Sequence, residues 1–138
     1  MGCDIHLFIE YRANTGTWLS LSRSEIEIPR DYDLFFSLAN VRAPENHPKK
    51  LRNRQPRGLP GDLSKQVAEA YYAAKESYKP HSESHLYADK LEVVLSEMVE
   101  KGETDSYFGC IESILNLVYG LEDDWGHGNA RIVFWFDN

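Results

Sequence analysis

Apolar and polar residues alternate through CDIHLFIEY at positions 3–11, the period-two pattern of a half-buried strand. Ile5, Leu7, Ile9 and Tyr11 share one face, and Asp4, His6, Phe8 and Glu10 share the other. Asn14-Thr15-Gly16 predicts a hairpin turn, with Gly16 supplying a positive φ, into a second strand near 17–21. Asp33 predicts the cap of a short helix over 34–39. Asp62 or Ser64 predicts the start of another, through KQVAEAYYAAKESY, which Lys79 and Pro80 stop. Leu91, Val94, Leu95 and Met98 fall at helical spacing and predict a helix over 88–101 that ends at Gly102. Phe108, Ile111, Ile114, Leu115 and Val118 mark a last helix, opened by Thr104 or Asp105 and closed by Gly120.

RIVFWFDN, at the C-terminal end, predicts a final strand. Ile132, Phe134 and Phe136 share one face, and Arg131, Val133, Trp135 and Asp137 the other. The outline is β-β-α-loop-α-α-α-β in a single α+β domain spanning 1–138. Its small, mainly antiparallel sheet, the N-terminal hairpin plus the C-terminal strand, packs against about four helices. If the first and last strands pair antiparallel with apolar faces matched, Asp137 arrives beside Asp4 and His6. A parallel pairing would bring Arg131 there instead.

Composition narrows the function classes. The chain has 138 residues, 42% hydrophobic and 27% charged, as in an ordinary soluble globule. No apolar run approaches the roughly 18 residues that cross a bilayer, and the N-terminus lacks a secretion-signal pattern. A cytoplasmic protein with no membrane association is expected. Two cysteines make no disulfide framework: Cys110 reads as a small buried hydrophobe, and Cys3 as a metal ligand, a thiolate or strand filler. A net charge of −7 argues against general nucleic-acid binding. Arg42, Lys49, Lys50, Arg52, Arg54 and Arg57 nevertheless crowd one proline-rich stretch against Glu45 alone. Such a loop on an acidic body can attract a small phosphate-bearing ligand, dock a host protein, or keep the chain soluble.

Four stretches carry candidate chemistry. Asp4 and His6, two apart on one strand face, can reach one ligand or one metal ion, with Asp137 as a third metal ligand. They can equally form a hydrogen-bonded pair at a strand end. In HSESH, an extended backbone would put His81, Glu83 and His85 on one face, and Ser82 and Ser84 on the other as donors to phosphate oxygens. A polar lead-in to the next helix explains the same residues. RGLPGDLS offers the Arg57 fork and glycines that permit close approach, ahead of a helix N-terminus, although a well-capped helix start accounts for it nearly as well. It is not a GxxxxGK[ST] phosphate loop. Arg30 and Tyr32 precede a helix, where a guanidinium can grip phosphate and a ring can stack on a base.

Met1 to His6 read M-G-C-D-I-H. Arg30, Tyr32, Leu34 and Phe35 fit R-x-Y-x-L-F. Arg57 to Pro60 with Asp62 and Ser64 fit R-G-L-P-x-D-x-S, and His81, Ser82, Ser84 and Leu86 follow H-S-x-S-W-L apart from its Trp. With the aromatic last strand, this pattern resembles an uncharacterised family of small proteins encoded by phages and prophage-bearing bacteria. Two departures stand out: His85 replaces the usual Trp, and Tyr87 stands near where a Thr would cap the following helix. Exchange with Trp speaks against His85 as a ligand. The phage setting implies a protein that counters nucleotide-based host defence.

The leading expectation is a binder of a small anionic, nucleotide-like ligand that sequesters a host-defence signalling molecule. Arg30 and Arg57 would hold phosphates, Ser82 and Ser84 would donate hydrogen bonds, and Tyr32 would stack. Asp4, His6 and His81 would fix orientation. Sequestration would favour a homo-oligomer joined through exposed aromatics such as Trp135. The alternative is a phosphodiester or nucleotide hydrolase with His81 or His6 as acid or base and Asp4 orienting the ring; a divalent metal would be a variant, not a requirement. A third reading is an inhibitor that binds a host protein through the basic loop, with no small-molecule site.

Overall fold

A computed structural model of the chain describes residues 2–42, 54–102, 104 and 107–138. Lys49, Lys50 and Arg52 of the basic loop, and Asp105, lie outside the described residues. Four strands and four helices follow the order β1 (Ile5–Arg12), β2 (Trp18–Ser20), α1 (Tyr32–Ala39), α2 (Lys65–Ser77), β3 (His81–Tyr87), α3 (Ala88–Glu100), α4 (Phe108–Trp125) and β4 (Ala130–Phe136). The sheet runs β2-β1-β4-β3 with every neighbour antiparallel, as an α+β domain requires. Among the described residues, no helix is long and apolar enough to cross a membrane.

Matched apolar faces set the central pairing. Ile5 stands opposite Phe136 and Ile9 opposite Ile132, so Ile5, Leu7 and Ile9 join Ile132, Phe134 and Phe136 in the main core. Residues of α1, α3 and α4 close over that face: Phe35 and Leu38, Leu91 and Met98, Ile111 and Val118 are all fully buried. Phe8, Val133 and Trp135 fill the opposite face, where Val67 and Tyr71 of α2 cover them. Strand β4 is therefore buried along its whole length, which explains its nearly unbroken apolar run. Truncation of a residue such as Leu91 to Ala costs about 2–5 kcal/mol in sites of this kind.

Local chemistry sets the helix ends. Asp31, two residues before the expected Asp33, caps α1 by accepting from the Leu34 N–H at 3.1 Å. Ser64 caps α2 by accepting from the Val67 N–H at 3.2 Å. Helix α4 runs through Gly120 to Trp125, beyond the expected stop, and Trp125 stacks on Tyr11. Gly126, at φ +104°, ends it.

Of the two readings of HSESH the extended one holds: HSESHLY is a strand, absent from the expected β-β-α-loop-α-α-α-β outline, and it pairs with β4 across an irregularity between His81 and Ser84. Two further expectations are corrected. Cys110 is exposed on α4. Trp135 is 1% exposed beneath α2, with Nε1 donating to the Tyr78 hydroxyl at 3.0 Å, so it offers no contact for self-association.

The covered second face also buries charge. Glu10 and Arg131 are cross-strand partners, both fully buried, with Nε 2.7 Å from Oε1. The other oxygen of Glu10 accepts from the Ser64 N–H at 2.7 Å. Arg131 Nη1 donates to Asp62 at 2.8 Å, and its guanidinium lies 3.7 Å from the Trp18 ring centre. Asp62 also accepts from Trp18 Nε1 at 2.9 Å. This network pins the start of α2 to the sheet, and it gives the Asp62 and Ser64 of RGLPGDLS structural work. Arg131→Met strands the buried Glu10 charge and should lower unfolding free energy in urea by about 3–5 kcal/mol. Glu10→Gln combined with Arg131→Met should lose less than that single change.

Candidate functional site

At the sheet end formed by the start of β1, the end of β4 and the start of β3, one residue gathers the polar groups. Asp137 Oδ1 accepts from the Asp4 N–H at 2.9 Å, and Oδ2 lies 3.0 Å from His6 Nε2. Its backbone carbonyl faces His81 Nε2 at 3.1 Å and Cys3 Sγ at 3.2 Å. Its N–H donates to the Asp4 carbonyl at 3.2 Å, extending the β1–β4 ladder by one rung. The antiparallel pairing thus brings Asp137 to Asp4 and His6 as the alternation implied.

His6 is held on every side. Its Nδ1 lies 2.6 Å from Glu25, which the stretch after β2 supplies. Its ring stacks on Tyr78, with centroids 5.1 Å apart, and more loosely on Trp135. Burial disfavours the imidazolium, but the bonds to Asp137 and Glu25 outweigh it and raise the pKa above its ordinary 6.5. A ring with both nitrogens facing carboxylates serves as a charged link in a network and has no lone pair directed at a metal. Among the described residues, no group of three or more His, Cys, Asp or Glu side chains is arranged to hold a metal ion. Asp4, His6 and Asp137, the expected metal set, are close neighbours in a hydrogen-bonded network.

Arg30 grips Asp4 with both arms, at 2.7 and 3.1 Å, and this bond holds the Asp4 carboxyl below its usual range. The guanidinium lies against Gly2, where a Cβ would fall 1.9 Å from Nη1. Tyr32 accepts the Cys3 N–H at 3.2 Å, and Arg42 sits 5.7 Å over its ring. Cys3 itself is buried, and desolvation, then the Asp137 charge, push its thiol pKa up, so it fills the strand rather than presenting a thiolate. Beside this group stands a small cavity of about 300 Å³ lined by Asp4, His6, Glu25 and Glu27. Carboxylates dominate that lining, and the Arg30 charge is matched by Asp4.

Other expected residues lie elsewhere. Ser84 is fully buried and accepts the Arg57 N–H at 3.0 Å, while the Gly58 N–H donates to the Glu83 carbonyl at 2.8 Å. His85 Nδ1 meets the Gly58 carbonyl at 2.8 Å. The RGLP segment therefore runs along β3 by its main chain. Arg57 lines a cleft of about 350 Å³ with Tyr87, Asp89, Lys90, Glu122, His127 and Gly128, at the opposite sheet end from Asp137. Lys90, His127 and Glu25 carried no sequence signal as site residues, because loop and helix-start side chains have no period that reveals their direction. Tyr87, at the Thr-like position, provides α3 with no side-chain cap bond.

Comparisons with known proteins add no relative: no family model matches the chain, and no curated protein or solved structure matches it.

Two outcomes test the Asp137 end. The raised His6 pKa means that His6 contributes stability fully below pH 6.5 and loses that contribution as pH rises through the folded value. Urea titrations of wild type and His6→Gln should therefore converge as pH climbs from 6.5. For Gly2→Ala, the new methyl should displace Arg30 and let the Asp4 pKa climb toward the ordinary carboxylate range, read by carbon-detected NMR titration.

Proposed function

We propose that the protein binds a small phosphate-bearing, nucleotide-like anion in the Arg57 cleft. Two cationic donors lining one cleft support the reading. Arg57 and Lys90 line the cleft without an ion pair to any described residue. The two lining carboxylates are already engaged by backbone: Asp89 Oδ1 accepts from the Lys90 N–H at 2.9 Å, and Glu122 Oε2 from the Gly128 N–H at 2.8 Å. Both carboxylates keep their charge, so an arriving phosphate would be held by the directed donors of Arg57 and Lys90 and not by a net positive field, with exposed His127 3.8 Å from Glu122 at the rim.

The other features agree in chemistry. The start of α3 lies at the same cleft, although the first-turn carboxylate of Asp89 already offsets its positive end. Tyr87 offers an aromatic wall for a base, and a cleft of this volume sits at the small end of ligand pockets, the range of a mononucleotide. Arg57 keeps the phosphate-holding role its sequence context implied, with Lys90 as its partner in place of Arg30. In the phage setting of the sequence resemblance, such binding would withdraw a signalling nucleotide from the host.

Calorimetric titration with AMP and with inorganic phosphate tests this directly. Wild type should bind AMP, and heat denaturation should release it unchanged. Arg57→Ala and Lys90→Ala should each weaken affinity about tenfold or more, the worth of a charge-assisted hydrogen bond. Asp4→Asn, at the far end, should leave affinity unaltered. Failure of wild type to bind either compound, or equal binding by Arg57→Ala, would contradict the assignment.

A further inference from the structure

At the irregular start of β3, His81 and Ser82 form a contact that neither the fold nor the anion cleft uses. Ser82 Oγ lies 2.9 Å from His81 Nδ1. On its other side the same ring meets the Asp137 carbonyl, Nε2 to O, at 3.1 Å. A carbonyl only accepts, so in the neutral ring the proton sits on Nε2, and the Nδ1 lone pair faces the Ser82 hydroxyl. The ring plane is held as well: His81 stacks on Phe136, centroids 6.2 Å apart and planes inclined by 28°. Asp137 is in turn fixed by the Asp4 N–H, His6 and Cys3.

The backbone bends to make this contact. Ser82 stands at φ +56°, a left-handed conformation uncommon for serine, where the β3–β4 register breaks between His81 and Ser84. Ser84, two residues on, shows the ordinary alternative: a buried hydroxyl that accepts a main-chain N–H. Ser82 instead turns its hydroxyl onto a ring whose tautomer is preset, at the partly exposed edge of the sheet. A hydroxyl, a base and a group that orients the base are the three parts of an activated nucleophile.

We propose that Ser82 is a nucleophile, His81 its general base and Asp137 a positioning residue through its main-chain carbonyl, acting on an activated acyl ester. The Ser82 oxygen bonds to the acyl carbon as its proton passes to His81 Nδ1. The ester C–O bond then breaks, and the leaving alkoxide takes that proton. Water, deprotonated by the same nitrogen, cleaves the acyl-serine and restores the hydroxyl, giving a carboxylic acid and an alcohol. This site stands apart from the Arg57 cleft, and neither reading depends on the other.

The test is treatment of the native full-length chain with a biotinylated fluorophosphonate, in which Ser oxygen displaces fluoride, followed by intact mass and peptide mapping. One adduct is expected, on Ser82, absent in Ser82→Ala and absent when wild type is treated in urea. With p-nitrophenyl acetate, His81→Gln should lower the acylation rate by about 100-fold or more, the usual contribution of a general base. The proposal is overturned if native wild type takes no adduct or takes it at another residue. It is equally overturned if Ser82 labels as fast in urea, or as fast in folded His81→Gln, as in native wild type.

Discussion

The antiparallel register of β1 on β4 is the constraint on which the rest of this molecule depends. With Ile5 opposite Phe136, the apolar faces coincide and the main core closes. The same register puts a charged pair at one end, Glu10 opposite Arg131, and carries Asp137 past the last rung at the other. A slip of one residue would turn every side chain of one strand to the opposite face. It would then turn Phe134 and Phe136 out of the main core toward α2, divide Glu10 from Arg131, and detach Asp137 from Asp4 and His6.

The two polar ends are built on different physics. Arg131 and Glu10 are out of water, so the cation is tolerable only because Glu10, the Trp18 ring and the more exposed Asp62 surround it. That closure joins α2 to the sheet and leaves no group there for a ligand. Around Asp137 the groups are half-exposed, and each hydrogen bond joins a strand end to a neighbour: Asp4 to Arg30, His6 to Glu25, His81 to Ser82. Arg57 and Lys90 stand at a third place, the cleft where β3 gives way to α3.

Much of this was legible in the chain because alternation is a strong signal on β1 and β4. Given an antiparallel pairing, it implied Asp137 beside His6, and the pairing is antiparallel. It failed on β3, where Leu86 is the one large apolar residue turned inward and the buried Ser84 reads as polar surface. Trp135 was read as exposed because alternation separates two faces but cannot tell that α2 covers the second. Arg57 was grouped with Ser82 and Ser84 on the chemistry of their motifs; its main chain does run beside Ser84, yet Ser82 and Ser84 do not line the cleft that Arg57 lines. Glu25 entered the site from an irregular segment, whose geometry no spacing rule reports.

A backbone-amide NMR titration of the full chain with AMP tests the central claim most directly, because it locates any bound anion without assuming where it sits. The account predicts saturable shifts at Arg57, Lys90, His127 and Gly128, with Asp4, His6 and Asp137 unmoved. Shifts confined to the Asp137 end, or none at any position, would contradict it.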